Sequence, residues 1–314
     1  MIDVNPDVTV LIPVYNCAST ILDAINSVLS QEGIVFEIII VDDGSTDETS
    51  KLINSITDSR VYYYYQENRG ISAALNYGIS LAKSEYIARL DGDDKMLPFR
   101  LKTQYDCFLK DKNIIMISSA VEYIDTNGNV IGRSFPYIFS FLSKEILKKM
   151  NIYSHPATMF KKSIVKNAGG YDISLSGICE DYHLWHKISP AGKIINLPEP
   201  YTQYRISEGQ ITDWFPSKEY CSLIANVIQE DIPTQESVNL IKDVKNRDKN
   251  LRTSKKNNNH VKDTRIQLIK NNKFKRVYII LQNLKINKKV ASYIVCSMKS
   301  ITIVLKLLLS AKRC

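Results

Sequence analysis

Three groups of acidic residues are the part of this sequence best suited to hold a metal ion or to move a proton. Asp42-Asp43 follow the apolar run 36–41, the group Asp91-Gly92-Asp93-Asp94 follows the run 86–90, and Glu180-Asp181 precede a helical pattern. Carboxylates gathered at one edge of a sheet cannot all stay charged without a large electrostatic cost, so they share a cation or a proton. We therefore expect a divalent cation among them.

The segment Asp91-Gly92-Asp93-Asp94 is the first candidate for that cation. A D-x-D tripeptide by itself also fits a solvated turn. Here it directly follows an apolar strand, and an earlier strand ends in a second acidic pair. Such carboxylates can approach a Mg²⁺ or Mn²⁺ that also bridges two phosphates and lowers the charge of a leaving diphosphate. The pattern predicts Asp91 and Asp93 as the residues that hold the metal, with Asp94 beside them.

Alternating strand and helix patterns would bring these acids to one edge. Residues 8–13 and 36–41 are short apolar runs rich in β-branched residues, which is typical of parallel strands covered on both faces. Ser45-Thr46-Asp47-Glu48 has the pattern of a capping box that starts a helix. A tyrosine-rich run at 61–65 and the run 86–90 continue the series. We predict a doubly wound, mostly parallel α/β sheet whose ligand site lies at the carboxyl ends of its strands.

The alternation weakens after the fourth strand. We expect a helix near 99–110 and strands near 114–124 and 130–134, which a turn at Asn127-Gly128 joins. A region of mixed pattern follows, to about residue 215.

A series of short segments then resembles the successive signatures of the family 2 glycosyltransferases. The resemblance covers about residues 8–215, and the order and spacing of the segments match those of the family. These segments are Ile12-Pro13-Val14-Tyr15-Asn16, Val41-Asp42-Asp43-Gly44-Ser45-Thr46-Asp47, Asn68-Arg69-Gly70 through Asn76-Tyr77-Gly78, Asp91-Gly92-Asp93-Asp94, His155-Pro156-Ala157-Thr158, Gly169-Gly170-Tyr171-Asp172 and Glu180-Asp181-Tyr182.

This resemblance implies a GT-A fold, a nucleotide-sugar donor (commonly a UDP-sugar) and inversion at the anomeric carbon. It places part of the chain around the nucleotide and its diphosphate. The residues expected there are Pro13, Tyr15, Asp42, Asp43, Arg69, Asn76, Asp91 and Arg205, with Asp93 and Asp91 at the metal. The acceptor would bind to the region after residue 98.

Asp181 matches the general base of the family, and Glu180 is the second candidate. An inverting transfer needs one carboxylate that removes the proton of the acceptor hydroxyl, and the leaving group is stabilised by the metal. The alternative is that both residues only decorate a helix N-terminus. Arg205 resembles a basic residue that returns to the donor diphosphate, but the family's following histidine is absent from Arg205-Ile206-Ser207-Glu208-Gly209-Gln210. A surface arginine is the alternative there.

Charge divides the chain into two parts. Residues 242–314 hold 20 basic and 3 acidic side chains, whereas residues 1–241 hold 21 and 30. We predict a GT-A catalytic domain at 1–215 and a helical, basic extension at 216–314, with a solvated connector at 246–264. Residues 290–309 are apolar but contain Lys299 and Lys306, which favours an amphipathic segment in a membrane interface over a span.

Anionic lipid and nucleic acid are the two partners that such a basic extension could meet, and its amphipathic pattern favours lipid. The six cysteines include no C-x-x-C pair, and no signal segment is recognisable at the N-terminus. We expect a cytoplasmic protein, peripheral on the inner face of the cell membrane, that extends a polysaccharide on a saccharide or lipid-linked acceptor. Two alternatives are a sugar nucleotidyltransferase, which the absence of glycine after the first strand disfavours, and a nucleotide-sugar-binding scaffold without turnover.

Overall fold

The structure is a computed structural model that describes residues 5–134, 143–148, 150–207, 218–230 and 232–253. The chain divides into two compact units, Met1–Asn258 and Asn259–Cys314. The second unit, with the predicted amphipathic segment at 290–309, lies outside the described residues. Within the described part, no helix combines the length and apolar composition needed to cross a bilayer.

The first half of the chain forms a parallel sheet from alternating strands and helices. In chain order these are β1 Val8–Val14, α1 Ile21–Leu29, β2 Phe36–Asp43, α2 Thr49–Asn54, β3 Val61–Gln66, α3 Ile71–Leu81 and β4 Tyr86–Arg89. The strands lie in the order β3-β2-β1-β4, and each neighbouring pair is parallel. Every residue of β1 and β2 is buried, as their continuous apolar sequences predict.

The second half extends this sheet with strands of mixed direction. Its elements are β5 Lys95–Met96, α4 Arg100–Lys110, β6 Ile114–Ile124, β7 Val130–Arg133, α5 Ser143–Leu147, β8 Met159–Lys161, α6 Lys162–Asn167, α7 Glu180–Ile188, β9 Lys193–Arg205, α8 Lys218–Val227 and α9 Gln235–Thr253. The described sheet runs β3-β2-β1-β4-β8-β6-β9-β5, with β7 paired to β6. Strand β8 is antiparallel to both β4 and β6, whereas β6 and β9 are parallel. The predicted helix near 99–110 and the hairpin that follows it are confirmed.

The core consists of two apolar clusters, one on each face of the sheet. Alternate residues of β1 divide between them: Leu11 belongs to one cluster, and Val10 and Ile12 belong to the other. Helices α1 and α4 contribute to the Ile12 cluster, and α3, α7, α8 and α9 contribute to the Leu11 cluster. The sheet is therefore covered by helices on both faces, which confirms the predicted α/β layering.

Helices α8 and α9 pack into the same core as the sheet. Tyr220, Ile224, Val238, Ile241 and Val244 are all buried in the Leu11 cluster. The spacing of the three residues on α9 gives that helix an apolar stripe despite its polar composition. The boundary predicted after residue 215 therefore differs from the structure, which keeps both helices in the first unit. The predicted connector is also wrong over residues 246–253, because they continue α9.

Candidate active site

Side chains tie together the two loops that follow β1 and β2. Ser45 Oγ accepts a hydrogen bond from Asn16 N at 2.9 Å. The Asp47 carboxylate accepts from Ala18 N at 3.1 Å and from Thr49 N at 3.0 Å. Helix α2 begins at Thr49 without a capping bond from Ser45. The predicted capping box is therefore wrong, because these polar side chains bond to the neighbouring loop instead.

Asp42 is fully buried at the carboxyl end of β2. Its Oδ1 accepts from Ser45 N at 2.8 Å, and its Oδ2 accepts from the Tyr63 hydroxyl at 2.8 Å. Both oxygens already have donors and neither is open to solvent. In this structure Asp42 shapes the loop after β2, and its contact with the nucleotide stays a prediction.

Asp43 connects the end of β2 to the loop before α3. Its Oδ1 accepts from Gln66 Nε2 at 2.6 Å and from Arg69 N at 2.8 Å, and its Oδ2 accepts from Gly70 N at 2.8 Å. Gly70 has a φ of 87°, a backbone conformation that strongly favours glycine. Asp43 therefore fixes the backbone from which the Arg69 side chain extends.

Tyr15 and Arg69 are an aromatic and a cationic side chain that these loops leave accessible. The Tyr15 ring is 50% exposed directly after β1, while Pro13 is buried within that strand. Arg69 is exposed, and its guanidinium has no hydrogen bond or ion pair with any described residue. An aromatic ring and an unpaired cation at the carboxyl ends of parallel strands suit a base and a phosphate.

Both ends of the Asn76 amide are used in hydrogen bonds to one backbone residue. Its Nδ2 donates to Tyr171 O at 2.8 Å, and its Oδ1 accepts from Tyr171 N at 2.8 Å. A Cβ on Gly170 would lie only 2.6 Å from Asn76 Oδ1. The amide therefore clamps the 169–171 turn against α3, and the expectation that Asn76 lies beside the nucleotide stays a prediction.

The three aspartates after β4 form one cluster. Ligand oxygens of Asp91, Asp93 and Asp94 all lie within 4.8 Å of one another. A Cβ on Gly92 would lie 2.9 Å from Val14 Cγ1, so glycine allows this loop to approach the end of β1. Asp94 is 1% exposed, and no described residue gives its Oδ2 a hydrogen bond. Burial, followed by the charges of Asp91 and Asp93, raises the pKa of Asp94 well above its usual value.

Arg205 clamps this acidic loop from the end of β9. It is 4% exposed, so the surface alternative is wrong. Its backbone N donates to Asp94 Oδ1 at 2.8 Å, its Nε donates to Asp93 O at 2.8 Å, and its Nη1 donates to Asp125 O and Thr126 O at 3.1 and 3.0 Å. These carbonyl contacts position the loop, and the expected contact of Arg205 with phosphate stays a prediction.

Two further buried arginines lie beneath the cluster. Arg89 is 2% exposed and forms an ion pair through Nη2 with Asp91 Oδ1. Arg100 donates to four oxygens on three separate segments and to Gln104 Oε1. Its oxygen partners outside α4 are Pro156 O, Thr202 Oγ1, Arg89 O and Thr158 O. Burial, followed by the charge of Arg89, lowers the pKa of Arg100 to about 9.

Glu180 and Asp181 form the first turn of α7. Glu180 is 8% exposed, and burial followed by the charge of Asp181 raises its pKa to about 7. Burial also raises the pKa of Asp181. The hydrogen bonds that its carboxylate accepts from Tyr182 N and Asn151 Nδ2, both at 2.7 Å, lower that pKa. The positive charge of Arg89 lowers the pKa of both carboxyls. Arg89 therefore links the aspartate cluster electrostatically to the start of α7.

His155 packs in the interior against two aromatic residues. Its Nε2 lies 2.9 Å from the Tyr171 hydroxyl, and its ring contacts Tyr171 and Trp185. Burial lowers the pKa of His155 well below its usual value, so the ring is neutral.

Sequence reasoning missed Asn151, Arg89 and Arg100. Arg89 sits in the predicted fourth strand, where an arginine between apolar residues is itself a signal of a paired buried charge. Asn151 and Arg100 carry no such signal, because their partners are 30 and up to 102 residues away in the chain. Taken together, the described residues offer an aromatic ring, an exposed guanidinium, an acid cluster that could hold a cation and a desolvated carboxylate that could accept a proton.

The chain is similar in sequence to several glycosyltransferases. The family model described as glycosyl transferase family 2 matches residues 9–169, about half of the chain. An uncharacterized glycosyltransferase of Rickettsia typhi, RT0329, is 32% identical over 214 residues, which are 67% of this chain and 67% of that protein. The O-antigen biosynthesis glycosyltransferase WbnJ of Escherichia coli is 33% identical over 63% of this chain and 79% of its own. Some relatives are longer, and the chain spans 36% of one from Rickettsia felis.

Solved structures show the same fold. The crystal structure of Staphylococcus aureus TarS in complex with UDP-GlcNAc superposes with a TM-score of 0.56 at 19% identity, over 71% of this chain and 66% of that one. Its sequence identity is low, so the likeness concerns the fold alone. The chain therefore belongs to glycosyl transferase family 2 and has the GT-A fold.

Proposed function

We propose that this protein is an inverting hexosyl- or N-acetylhexosaminyltransferase that uses a UDP-sugar and extends a cell-surface polysaccharide on a saccharide or lipid-linked acceptor. Family membership supports the transferase activity. The names of the relative WbnJ, an O-antigen biosynthesis enzyme, and of the UDP-GlcNAc complex of TarS support the polysaccharide and the donor. One observation carries the proposal: the acid cluster after β4 and the carboxylates of α7 are joined by the charge of one buried arginine, Arg89.

The nucleotide would bind across the loops after β1 and β2. Tyr15 offers a half-exposed ring on which a base can stack, and the exposed guanidinium of Arg69 offers a counter-charge to phosphate. Asp42 and Asp43 would act through the loops that they hold.

The acid cluster fits a divalent cation. Three carboxylates present oxygens within 4.8 Å of one another, and hard oxygen ligands are what Mg²⁺ and Mn²⁺ prefer. The buried Asp94 Oδ2, which lacks a donor among the described residues, is an oxygen that a cation would satisfy. Asp93 and Asp91 would hold the ion with Asp94 beside them. Bound there, the ion would lower the charge of the leaving diphosphate.

Asp181 would act as the general base, with Glu180 as the second candidate. In the transfer, the acceptor O–H bond breaks and its proton moves to the Asp181 carboxylate, while the acceptor oxygen bonds to C1 of the sugar. The bond from C1 to the donor phosphate breaks, and its electron pair leaves with UDP. Attack from the face opposite UDP inverts the anomeric carbon.

The donor can be identified from metal-dependent hydrolysis. UDP-glucose, UDP-galactose and their N-acetyl counterparts would each be incubated with the protein and Mn²⁺ or Mg²⁺, with EDTA as the metal-free control. We expect UDP release from at least one donor, its loss with EDTA, and an inverted anomeric configuration in the transfer product by NMR. Tight UDP binding without turnover of any donor would favour the scaffold alternative.

The membrane location rests on the sequence of the second unit. Detergent-free fractionation of chains with and without residues 265–314 would test it. We expect the intact chain in the membrane fraction and the shortened chain in the supernatant; an intact chain found wholly in the supernatant would contradict this part of the proposal.

A further inference from the structure

Asn151 makes the one hydrogen bond from a described side chain to the proposed base. Its Nδ2 donates to Asp181 Oδ2 at 2.7 Å. Its Oδ1 accepts from Tyr153 N at 3.1 Å. Because a backbone N–H can only donate, that second bond fixes which end of the amide faces Asp181.

Asp181 is surrounded by groups that act on its charge in opposite directions. Its other oxygen, Oδ1, accepts from Tyr182 N at 2.7 Å. Arg89 stabilises the anion from β4, whereas burial and the neighbouring Glu180 oppose it. The remaining titratable groups that sense Asp181 are Tyr171 and Cys179, and burial raises the pKa of each well above its usual value, so both are neutral. The amide of Asn151 is thus a neutral donor that favours the anion.

The loop that carries Asn151 is held by other contacts as well. Tyr153 is buried in the core, Asn196 Nδ2 donates to Ile152 O at 3.4 Å, and His155 bonds to Tyr171. The bond from Asn151 to Asp181 is therefore not needed to anchor the loop. This hydrogen bond acts on the Asp181 carboxylate.

We propose that Asn151 is a positioning residue for the transfer reaction: its oriented amide holds Asp181 Oδ2 and keeps the carboxylate ionised and in one rotamer toward the acceptor hydroxyl. This inference rests on the proposed function, because it gives Asn151 a role only through Asp181 as base.

The test compares Asn151→Ala and Asn151→Asp with the matched control Asn196→Ala, which disturbs the same loop without contacting Asp181. The pH dependence of kcat and the Kd for UDP would be measured for each full-length variant. Losing one neutral donor should move the acid limb of the kcat profile of Asn151→Ala to higher pH by about 0.5 to 1 unit, since a hydrogen bond contributes about 1 kcal/mol. Asn151→Asp, which places a second carboxylate there, should move it further. The Kd for UDP should stay unchanged in all three variants.

A second readout does not depend on turnover. The carboxyl carbon of Asp181 would be titrated by NMR in protein labelled with ¹³C at aspartate, with Asp181→Asn used to assign the signal. We expect a higher pKa for Asp181 in Asn151→Ala than in the wild type and no change in Asn196→Ala.

The outcomes separate the inference from the proposed function. If the wild type transfers sugar and Asp181→Asn does not, but both Asn151 variants keep the wild-type acid limb and Asp181 pKa, the inference is overturned and the proposed function stands. If the wild type turns over no donor at all, both are overturned.

Discussion

The loops after β1 to β4 and the segment that carries Asp181 are built by different means. The first, which we call the donor side, comprises Tyr15, Asp42, Asp43, Arg69, Asp91 and Asp93. Hydrogen bonds of its loops after β2 and β3 join strand ends that are close in sequence: Asp42 to Tyr63 spans 21 residues, and Asp43 to Arg69 spans 26. Its aspartate loop is also held from a distance, by Arg205 across 112 residues. In the second, which we call the base side (Asn151 and residues 176–181), the loop depends on distant elements. Ser176 Oγ accepts from Ser72 N across 104 residues, and Lys245 Nζ donates to Gly177 O across 68.

This difference has a functional consequence. The donor side belongs to the part of the chain that the family model covers, residues 9–169, whereas Asp181 and the α9 lysine that supports its loop lie beyond it. The loops after β1 to β3, which local contacts hold, can stay constant while the contacts that support Asp181 differ between acceptors. Variants on the donor side should therefore change UDP and metal binding, and variants on the base side should change turnover.

The largest effect on the donor side is expected from Asp93→Ala. Removing a carboxylate from the acid cluster should weaken Mn²⁺-dependent UDP binding by on the order of 100-fold, because the ion loses a ligand. Isothermal titration with UDP, with and without Mn²⁺, measures this. Asp106→Ala, which removes only an ion pair with Lys102 on α4, is the control and should bind as the wild type does. Equal UDP binding by both variants would place the metal elsewhere.

Tyr15→Ala should weaken UDP binding without affecting its dependence on metal. Stacking of a base on an aromatic ring contributes about 1 to 3 kcal/mol, so the Kd should rise roughly 5- to 150-fold. Tyr15→Phe keeps the ring and should bind UDP nearly as the wild type does. A Kd for Tyr15→Ala that matches the wild type would remove this ring from the donor side.

Lys245→Met tests the support of the base from α9. The loss of its bond to Gly177 O should lower the free energy of unfolding by about 1.5 to 3 kcal/mol and reduce turnover several-fold, with UDP binding unchanged. Thermal melts and initial rates would be compared with Lys242→Met, an exposed position on the same helix. Loss of UDP binding in Lys245→Met alone would mean that the two sides are not separable.

Glu180→Gln should have the smallest effect on turnover. The folded pKa of Glu180, about 7, lies above its usual value of 4.5, so ionising it costs stability as the pH rises from about 4.5 to about 7. The variant should lose that pH-dependent decrease in the free energy of unfolding, as measured by urea titrations at several pH values. With the neighbouring charge gone, the acid limb of the kcat profile should also move to lower pH by less than about one unit. A profile and stability curve identical to those of the wild type would contradict the raised pKa.

The sequence was informative where structure follows from local pattern. The apolar runs of β1 and β2 predicted buried strands, and the strand before Asp91 predicted where the acid cluster would lie. The same reasoning did not find the hydrogen bonds between polar side chains and partners distant in sequence. Asn76 was expected beside the nucleotide, and nothing in its neighbourhood in sequence indicates that Tyr171, 95 residues away, uses both ends of its amide.

Helix α9 and Arg205 are two further places where the local sequence did not indicate the structure. The composition of residues 246–264 suggested a solvated connector, but residues 246–253 continue α9. Val238, Ile241 and Val244, at helical spacing, bury one face of that helix. Composition averaged over a window hides so narrow a stripe. Arg205 was similarly ambiguous, because only the folded chain shows that it donates to carbonyls at residues 93, 125 and 126.

The most direct test of the account measures Asp181→Asn for both activities in one preparation. Asparagine keeps the shape of the side chain but cannot accept the proton, so kcat for transfer should fall by roughly 10²- to 10⁴-fold. Mn²⁺-dependent UDP binding should remain within about twofold of the wild type, because Asp181 is not part of the donor side. An Asp181→Asn protein that transfers sugar at the wild-type rate, or that loses UDP binding together with turnover, would contradict the assignment of the base and the separation of the two sides.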